Sequence, residues 1–244
     1  MGTILTMEKL KSAANRIGIN LTPLQLEQFV IYYQELITWN KRINLTSITD
    51  YEEMQTKHLL DSLTVTLAVD LKRKGLKVID VGTGAGLPGI PLKITFPEIH
   101  LTLIEATVKK TKFIEEVVRK LCMKDVEIIA LRSEIVAHDD RHREKFDVVV
   151  SRALAPLPVL AELTLPFCNI GGSLITQKKG DINKEVEQSR KVVTLMGGTS
   201  PRIIKVELEE FAEDMLLVII DKNKATPVVY PRRPGIPGKR PIIS

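Results

Sequence analysis

From about residue 76 onward, the sequence alternates short apolar runs of strand length with longer segments of helical character. The strand-length runs are LKVIDV, HLTLIE, VEIIA, FDVVVS and GSLITQ, and the helical segments include VKKTKFIEEVVRKL and INKEVEQSRKVVTLM. Such alternation predicts βαβ units, in which successive strands are parallel and helices cover both faces of the sheet. This pattern constrains the fold more than any other feature of the chain.

Two later apolar runs, PRIIKVEL and DMLLVIID, have no segment of helix length between them. We expect them to close the sheet as an antiparallel hairpin. The predicted fold is therefore α/β and Rossmann-like, with a seven-stranded mixed sheet.

The first 75 residues show helical rather than strand patterns. Thr22 and Gln25 flank Pro23 as a capping box, and apolar residues then recur at helical spacing. A second start signal, Asp50 with Glu53, opens a segment that is expected to be helical up to Val69. We therefore predict an N-terminal helical appendage over residues 1–75, a main domain over 76–222 and a C-terminal tail over 223–244.

The composition limits the class of protein. A chain of 244 residues that is 44% apolar can bury a sizeable core. No run is long and apolar enough to span a bilayer, and the N-terminus lacks a secretory pattern. The two cysteines, Cys122 and Cys168, exclude a disulfide framework and favour a reducing cytoplasm. A net charge of +5 favours an anionic partner.

The C-terminal stretch KNKATPVVYPRRPGIPGKRPIIS differs from the rest of the chain. It holds five prolines and six Lys or Arg residues, and no acidic residue. This composition predicts an extended basic tail. Two interpretations stay open: a terminus that solubilises the protein or packs onto it, and a strap that contacts phosphates.

The turn after the first predicted strand, in DVGTGAGLPG, suggests a ligand site. Gly82, Gly84 and Gly86 stand at alternate positions after Asp80, and Leu87 occupies the place where a dinucleotide fingerprint has its third glycine. A carboxylate repels a pyrophosphate, because both are negatively charged, whereas it attracts a ligand that carries a sulfonium and an ammonium group. The sequence therefore favours S-adenosylmethionine, and a nicotinamide or flavin site or a structural turn are the alternatives.

Acidic residues at the ends of the next strands support this interpretation. Glu105 ends the second strand about 20 residues after the glycine turn, where an acid can accept the two ribose hydroxyls of an adenosine. Alternatively, Glu105 is a solvent-exposed residue at the end of the strand and contacts no ligand. Ser133 and Glu134 follow the third strand and could meet the adenine edge.

The segment after the fourth strand, FDVVVSRALAPL, bears on the methyl acceptor. It has neither an Asn/Asp-Pro-Pro-aromatic motif, typical of exocyclic amine methylation, nor the cysteine that pyrimidine ring-carbon methylation needs. Guanine N7 has a free lone pair and no proton to lose, so it needs neither helper. Oxygen and small-molecule acceptors remain compatible with the same segment.

Five stretches together resemble one family: NKRINLTSI, HLLDS, DVGTGAGLPGIPLKI, VSRALAPL and YPRRPGIPGKRPI. They are similar to ribosomal RNA small subunit methyltransferase G, also called glucose-inhibited division protein B. The resemblance implies a class I methyltransferase fold and S-adenosylmethionine-dependent N7-methylation of one guanine in the decoding region of small-subunit (16S) rRNA. It also implies a bacterial cytoplasmic enzyme whose partner is this rRNA or the small ribosomal subunit. We expect no membrane partner, no metal and a monomer.

The resemblance also implies roles for particular residues. Gly82 and Leu87 would contact the methionine part of the cofactor, and Ser133 and Glu134 would flank the adenine. Glu105, Ala106 and Thr107 would surround the ribose; the family often has an aspartate in place of Glu105. Arg152 would lie near cofactor and substrate as the candidate catalytic residue. The complete cofactor-binding set that we predict is Asp80, Gly82, Gly84, Gly86, Leu87, Glu105, Ala106, Thr107, Ser133, Glu134 and Arg152.

Several other residues have two open interpretations. Arg152 follows a buried strand, so a structural ion pair is its alternative role. His58 and Asp61 share a helix face, either as a hydrogen-bonded pair or at the mouth of the substrate site. Asn44 either forms a turn or reaches the cleft.

Clusters of charged residues are also ambiguous. His138 and His142 have metal-ligand spacing but lie in HDDRHREK, which favours a solvated loop. Lys178, Lys179 and the basic residues of 108–112 could touch RNA or face water.

Two rival functions remain at this stage. A small-molecule methyltransferase would turn over without RNA, and a nicotinamide-dependent oxidoreductase would prefer NAD to S-adenosylmethionine.

Overall fold

A computed structural model describes residues 5–244. It contains one seven-stranded sheet with the order β3-β2-β1-β4-β5-β7-β6. The strands are β1 (Lys77–Val81), β2 (His100–Ile104), β3 (Val126–Ile129), β4 (Phe146–Arg152), β5 (Cys168–Lys179), β6 (Arg202–Val206) and β7 (Met215–Asp221). The first five strands pair in parallel, whereas β7 is antiparallel to both β5 and β6. The predicted mixed sheet and its closing hairpin are confirmed.

Helices connect the parallel strands and cover both faces, so that two apolar clusters form on opposite sides of the sheet. The helices of this part are α5 (Gly89–Thr95), α6 (Val108–Lys120), α7 (Ser133–Val136), α8 (Leu157–Thr164) and α9 (Asn183–Leu195), and a short α10 (Ile236–Lys239) follows near the C-terminus. Because inward residues alternate along each strand, Val78 and Val148 contribute to one cluster, and Ile79 and Val149 to the other.

The N-terminal residues add helices α1 (Glu8–Arg16) and α2 (Pro23–Asn40) to one face of the sheet. The capping box at Thr22 forms as predicted. Gln25 of that box also donates from Nε2 to the carbonyls of Ile94 and Thr95, 3.0 and 2.9 Å away. These carbonyls end α5, so one side chain begins α2 and anchors it to the end of α5. Residues 1–4 of the predicted appendage lie outside the described part of the chain.

The helical segment after Asp50 is less regular than predicted. The Asp50 side chain caps α3 (Tyr51–Met54), which continues as a π-helical turn (Gln55–Leu60), α4 (Asp61–Leu63) and a 3₁₀ turn (Thr64–Leu67). A π turn inserts extra backbone into a helix and is frequent at functional sites. Here the Lys57 carbonyl inside the turn accepts a hydrogen bond of 3.1 Å from Arg152 at the end of β4.

The C-terminal tail packs against the main domain rather than extending into solvent. The Arg143 guanidinium donates to four backbone carbonyls, of which three belong to Thr226, Pro227 and Tyr230 of the tail. Arg232 binds the buried carboxylate of Glu162 through its backbone N–H and its guanidinium, at 2.6–2.9 Å. The tail therefore packs onto the main domain through these contacts, while its exposed basic residues, Arg233, Lys239 and Arg240, keep the phosphate-contacting interpretation open.

Candidate functional site

A cleft of about 420 Å³ opens where the carboxyl ends of β1, β2 and β4 and the segment after β3 converge. In a parallel α/β sheet, this edge is where ligands bind. Nine of the eleven predicted cofactor residues line it: Gly82, Gly84, Leu87, Glu105, Ala106, Thr107, Ser133, Glu134 and Arg152. The structure thus brings together residues from four separate segments of the chain.

The glycine turn forms one wall of the cleft. Gly84 has a φ of +60°, and a Cβ built on it would meet no atom within 4 Å, because it would point into open space. Gly82 has a φ of +72°, and its Cβ would lie 2.5 Å from Leu154 Cδ1 of the loop after β4. The positive φ favours glycine at both positions; at Gly82 the Leu154 side chain packs closely against the turn, while Gly84 leaves room for a ligand against the backbone.

Asp80 and Gly86 lie outside the wall of the cleft. Asp80 is fully buried beneath the turn, where its Oδ2 accepts bonds from Thr83 Oγ1 at 2.6 Å and from the Gly89 N–H at 2.8 Å. Burial raises the pKa of Asp80 to about 6. Through Oδ2 the carboxyl supports the turn from below, while its buried Oδ1 has no hydrogen-bond partner within residues 5–244, and the predicted contact of Asp80 with the cofactor stays a prediction. A Cβ on Gly86 would collide with Ile90, so this glycine serves packing.

Glu105 lies at the end of β2 with only 7% of its surface exposed. Its Oε2 accepts from the Gly84 N–H at 3.1 Å, and its Oε1 accepts from the Thr107 N–H at 2.7 Å. A carboxylate offers about four lone-pair positions, so about two stay available to a ligand. A vicinal diol such as that of a ribose fits this remaining capacity.

Ser133 and Glu134 begin α7, and both are buried. Glu134 Oε1 accepts from the Gly235 N–H of the C-terminal tail at 2.9 Å. No sequence pattern indicated this contact. It places the tail directly beside the wall of the cleft that is predicted to hold an adenine.

Arg152 bonds to the N-terminal helical segment. Its Nη1 lies 2.8 Å from Asp61 Oδ2, and its Nη2 lies 3.2 Å from His58 Nδ1. The expected His58–Asp61 pair is therefore replaced by two separate contacts with one guanidinium. The ion pair that the sequence offered as the alternative role of Arg152 is present, and it faces the cleft.

The environment of this ion pair affects two titrations. Burial, followed by the charge of Arg152, lowers the pKa of His58 to about 4. Burial raises the pKa of Asp61, while the neighbouring Arg152 opposes that rise. The Nδ1 atom of His58 also lies 3.0 Å from the Lys57 carbonyl, and its Nε2 lies 2.7 Å from Thr46 Oγ1. His58 is thus a weak base at neutral pH.

Some residues of the site were not predicted. Thr46 and Arg132 line the cleft, together with Lys110, one of the basic residues of 108–112 for which contact with RNA was one interpretation. Tyr32 is buried beneath it and donates from its hydroxyl to the Ala85 carbonyl at 2.7 Å, and burial raises the pKa of this hydroxyl. The apolar periodicity of α2 marked Tyr32 as a core residue, but no local pattern could show that it reaches the glycine turn.

The two lysines that were candidates for RNA contact, and Asn44, lie in different surroundings. Lys178 is occupied by the Ala155 carbonyl and Glu185, at 3.1 and 2.5 Å. Lys179 is half exposed beside Glu213. Asn44 is exposed, and the neighbouring turn is held by the Asn40 side chain instead.

His138 and His142 bond to different partners. The Nε2 atom of His138 lies 2.8 Å from the Pro231 carbonyl, and that of His142 lies 3.1 Å from the Glu127 carboxylate. Within residues 5–244, no group of three or more His, Cys, Asp or Glu side chains is arranged to hold a metal ion. Both cysteines are free thiols. No helix of the described residues is long and apolar enough to cross a membrane.

Comparison with known proteins decides the family. The family model for rRNA small subunit methyltransferase G matches residues 25–212, which include the entire cleft described above. The chain belongs to this family. The match confirms the resemblance seen in the sequence motifs.

Full-length relatives agree with this assignment. A ribosomal RNA small subunit methyltransferase G from Dehalococcoides mccartyi is 49% identical over 237 residues, which cover 97% of this chain and all of the relative. One from Roseiflexus castenholzii is 44% identical over 239 residues, with coverage of 97% and 100%.

Solved structures share the fold at low sequence identity. A predicted O-methyltransferase from Agrobacterium tumefaciens aligns with a TM-score of 0.54 at 17% identity, covering 68% of this chain and 82% of that one. An S-adenosylmethionine-dependent O-methyltransferase from Thermotoga maritima aligns with a TM-score of 0.53 at 15% identity, covering 79% and 72%. The chain has the class I methyltransferase fold.

Proposed function

We propose that the protein uses S-adenosylmethionine to methylate N7 of one guanine in small-subunit (16S) rRNA. The observation that carries the cofactor assignment is Glu105, whose carboxylate bridges the glycine turn and the start of α6 and keeps lone pairs free for a ribose diol. Gly84 beside it leaves open space against the backbone. An adenosine fits such a wall, and the segment 133–134 supplies polar groups for its base.

The methyl transfer is proposed to be a direct displacement without a covalent enzyme intermediate. When bound, S-adenosylmethionine supplies a methyl carbon on a positively charged sulfur. The guanine N7 lone pair forms the new bond, the electrons of the carbon–sulfur bond stay on sulfur, and the positive charge passes to the guanine. No proton moves, so the protein mainly needs to align the reactants and exclude water.

The cleft suits an acceptor that needs no general base. Among the residues that line it within 5–244, none is a cysteine, and its histidine, His58, has a pKa lowered to about 4. Arg152 stays the candidate catalytic residue in this proposal, as a group held by Asp61 beside the reacting atoms. Its fixed charge would not compete as a nucleophile.

Recognition of RNA is proposed to involve the tail. The three predicted segments of the chain have separate roles in this proposal. Residues 76–222 hold the cofactor, residues 1–75 cover the side on which the methyl acceptor binds, and residues 223–244 contact RNA phosphates. Arg233, Lys239 and Arg240 are exposed in the tail, which the Glu134–Gly235 contact holds at the cleft. An exposed basic segment at the mouth of a site attracts the RNA backbone.

The function is tested by offering labelled S-adenosylmethionine together with small ribosomal subunits, protein-free 16S rRNA and a set of small-molecule acceptors. We expect transfer to 16S rRNA, naked or assembled, and N7-methylguanosine as the labelled nucleoside after digestion. Label on a small molecule in the absence of RNA, or preferential binding of NAD, would overturn the proposal.

The tail contribution is tested by replacing Arg233, Lys239 and Arg240 together with Gln. Each lost phosphate contact reduces the slope of log affinity against log salt by about 0.7 for a single strand. We expect weaker RNA binding and a flatter salt dependence. The matched control replaces the basic residues 72–74 before β1, at the opposite edge of the sheet, with Gln. Equal effects of the two triple variants would show that the tail has no special role.

A further inference from the structure

A second cleft, of about 330 Å³, lies next to the Arg152–Asp61 ion pair, between the N-terminal helical segment and the loop that joins β6 and β7. We call it the acceptor cleft and define it by five of its lining residues: Lys57, Asp61, Lys179, Glu210 and Phe211. Asp61 connects it to the cofactor cleft, because its partner Arg152 lines that cleft. The two clefts are therefore neighbours that share one ion pair.

Three buried side-chain oxygens without hydrogen-bond partners belong to two residues that line this cleft and to Gln177, which bonds to one of them. The Asp61 side chain is 3% exposed, and its Oδ1 has no hydrogen-bond partner among residues 5–244, whereas Oδ2 binds Arg152. Gln177 donates from Nε2 to the Asp61 carbonyl at 3.1 Å, and its buried Oε1 has no partner in the same range. Glu210 binds Arg16 through Oε1 and leaves Oε2 unpaired there. Buried acceptors without donors cost free energy, so they favour a ligand that is rich in N–H groups.

Other side chains of the acceptor cleft suit a nucleotide. Phe211 is a half-buried aromatic ring that packs partly against the core, and its remaining surface in the cleft offers a stacking contact to an unstacked base. Lys57 and Lys179 are about half exposed, and their pairs with Glu53 and Glu213 are surface pairs of little strength. Both lysines can therefore exchange a carboxylate for an RNA phosphate.

We propose that the acceptor cleft receives the target guanine, with Asp61 accepting from its N1–H and N2–H groups and Phe211 stacking on its ring. This inference rests on the proposed function and names the residues that select the base. Among the four RNA bases, guanine alone presents two adjacent N–H donors on its Watson–Crick edge. A carboxylate that holds this edge leaves N7, on the opposite side, free to attack. An arginine bound to O6 and N7 would instead occupy the nucleophile.

The first test is the variant Asp61→Asn. Arg152 requires an acceptor, so the Asn amide oxygen takes the place of Oδ2 and its NH2 group takes the place of Oδ1. The ion pair becomes a neutral hydrogen bond, and the group that faces the guanine changes from acceptor to donor. We expect kcat/KM with small ribosomal subunits to fall 10-fold or more, while the affinity for S-adenosylmethionine changes less than threefold.

The second test changes the substrate. Inosine lacks the N2 amino group of guanine but keeps N7. In rRNA that carries inosine at the methylated position, the wild-type protein should lose about 10-fold in kcat/KM, whereas for Asp61→Asn the change from guanine to inosine should cost little, because this variant has already lost its acceptor for the N2 amino group. Glu213→Gln makes the same chemical change at an exposed residue of the same cleft and should keep the full inosine penalty.

Phe211→Ala provides a variant that leaves the ion pair intact. We expect it to lower kcat/KM about 5- to 100-fold, as loss of one base–aromatic stack does, and Phe211→Tyr should restore activity. Melting temperature and S-adenosylmethionine affinity verify folding, and Phe211→Ala decides the question if Asp61→Asn does not fold. If the wild type methylates guanine N7, but both variants keep the wild-type kcat/KM and the same loss of kcat/KM with inosine, the assignment of the guanine to the acceptor cleft is wrong and the proposed function stands. If the wild type does not methylate RNA, both are overturned.

Discussion

Replacing Glu105 with Gln should weaken S-adenosylmethionine binding strongly while leaving the fold intact. The two carboxylate oxygens accept from Gly84 N–H and Thr107 N–H, and the remaining lone pairs would accept the ribose hydroxyls. A Gln amide has one acceptor oxygen, so its NH2 group must face a backbone donor or a hydroxyl. Loss of one hydrogen bond to a charged group costs about 1.5–3 kcal/mol, and an unpaired buried donor costs about 1–3 kcal/mol more.

The sum is about 3 kcal/mol or more, which corresponds to a dissociation constant raised about 100-fold or more. Isothermal titration calorimetry with S-adenosylmethionine measures it, and thermal unfolding reports the stability of the variant. Glu105→Asp, which keeps the charge, should lose much less affinity. Glu115→Gln makes the same change at an exposed position of α6 and should bind normally. Wild-type affinity in Glu105→Gln would refute the assignment of Glu105 to the ribose.

Three further changes test the glycine turn, its support and the tail. Gly84→Ala should weaken cofactor binding in calorimetry, whereas Gly18→Ala, which also has a positive φ and open space, should lose similar stability but no affinity. The pKa of Asp80 is about 6 in the folded protein and about 4 in the unfolded chain. The stability of the wild type relative to Asp80→Asn should therefore fall by about 3 kcal/mol as the pH rises from 4 to 6, which urea titrations measure. A pH-independent difference would contradict that shift. Arg232→Met removes the guanidinium that neutralises the buried Glu162 carboxylate, leaves it only the backbone N–H of residue 232, and should cost about 3 kcal/mol; adding Glu162→Leu should recover part of that loss, and equal single and double losses would refute the pairing.

The strands and most helices could be predicted because their signals are local. Apolar runs of strand length and the capping box at Thr22 depend on neighbours within a few residues. The glycine turn and Glu105 were predictable for a related reason: in a parallel sheet, the ends of successive strands meet at one edge, so sequence spacing translates into spatial proximity.

The partners of the buried charges could not be predicted in the same way. Arg152 contacts Asp61, a residue about 90 positions earlier, and Glu134 contacts Gly235 about 100 positions later. Hydrophobic periodicity shows that a residue is buried but does not specify which distant group satisfies it. Asp80 illustrates the consequence, since its position beside the turn did not show that its Oδ2 accepts hydrogen bonds from Thr83 and Gly89.

The packing of the tail onto the main domain could not be predicted for the same reason. The proline and basic residues of the tail predicted an extended segment. Instead, the guanidinium of Arg143, in a charged loop, donates hydrogen bonds to three backbone carbonyls of the tail. The sequence of that loop resembles a solvated charge run, so its role in holding the tail emerges only from the three-dimensional structure.

The atom that receives the methyl group tests the central claim most directly. Small ribosomal subunits that lack the modification are incubated with the protein and S-adenosylmethionine, and the 16S rRNA is then reduced and treated with aniline, which cleaves at N7-methylguanine. We predict cleavage at one guanine, dependent on the wild-type protein and strongly reduced with Glu105→Gln. Methylated rRNA that resists this cleavage would place the methyl group on another atom and contradict the proposed chemistry.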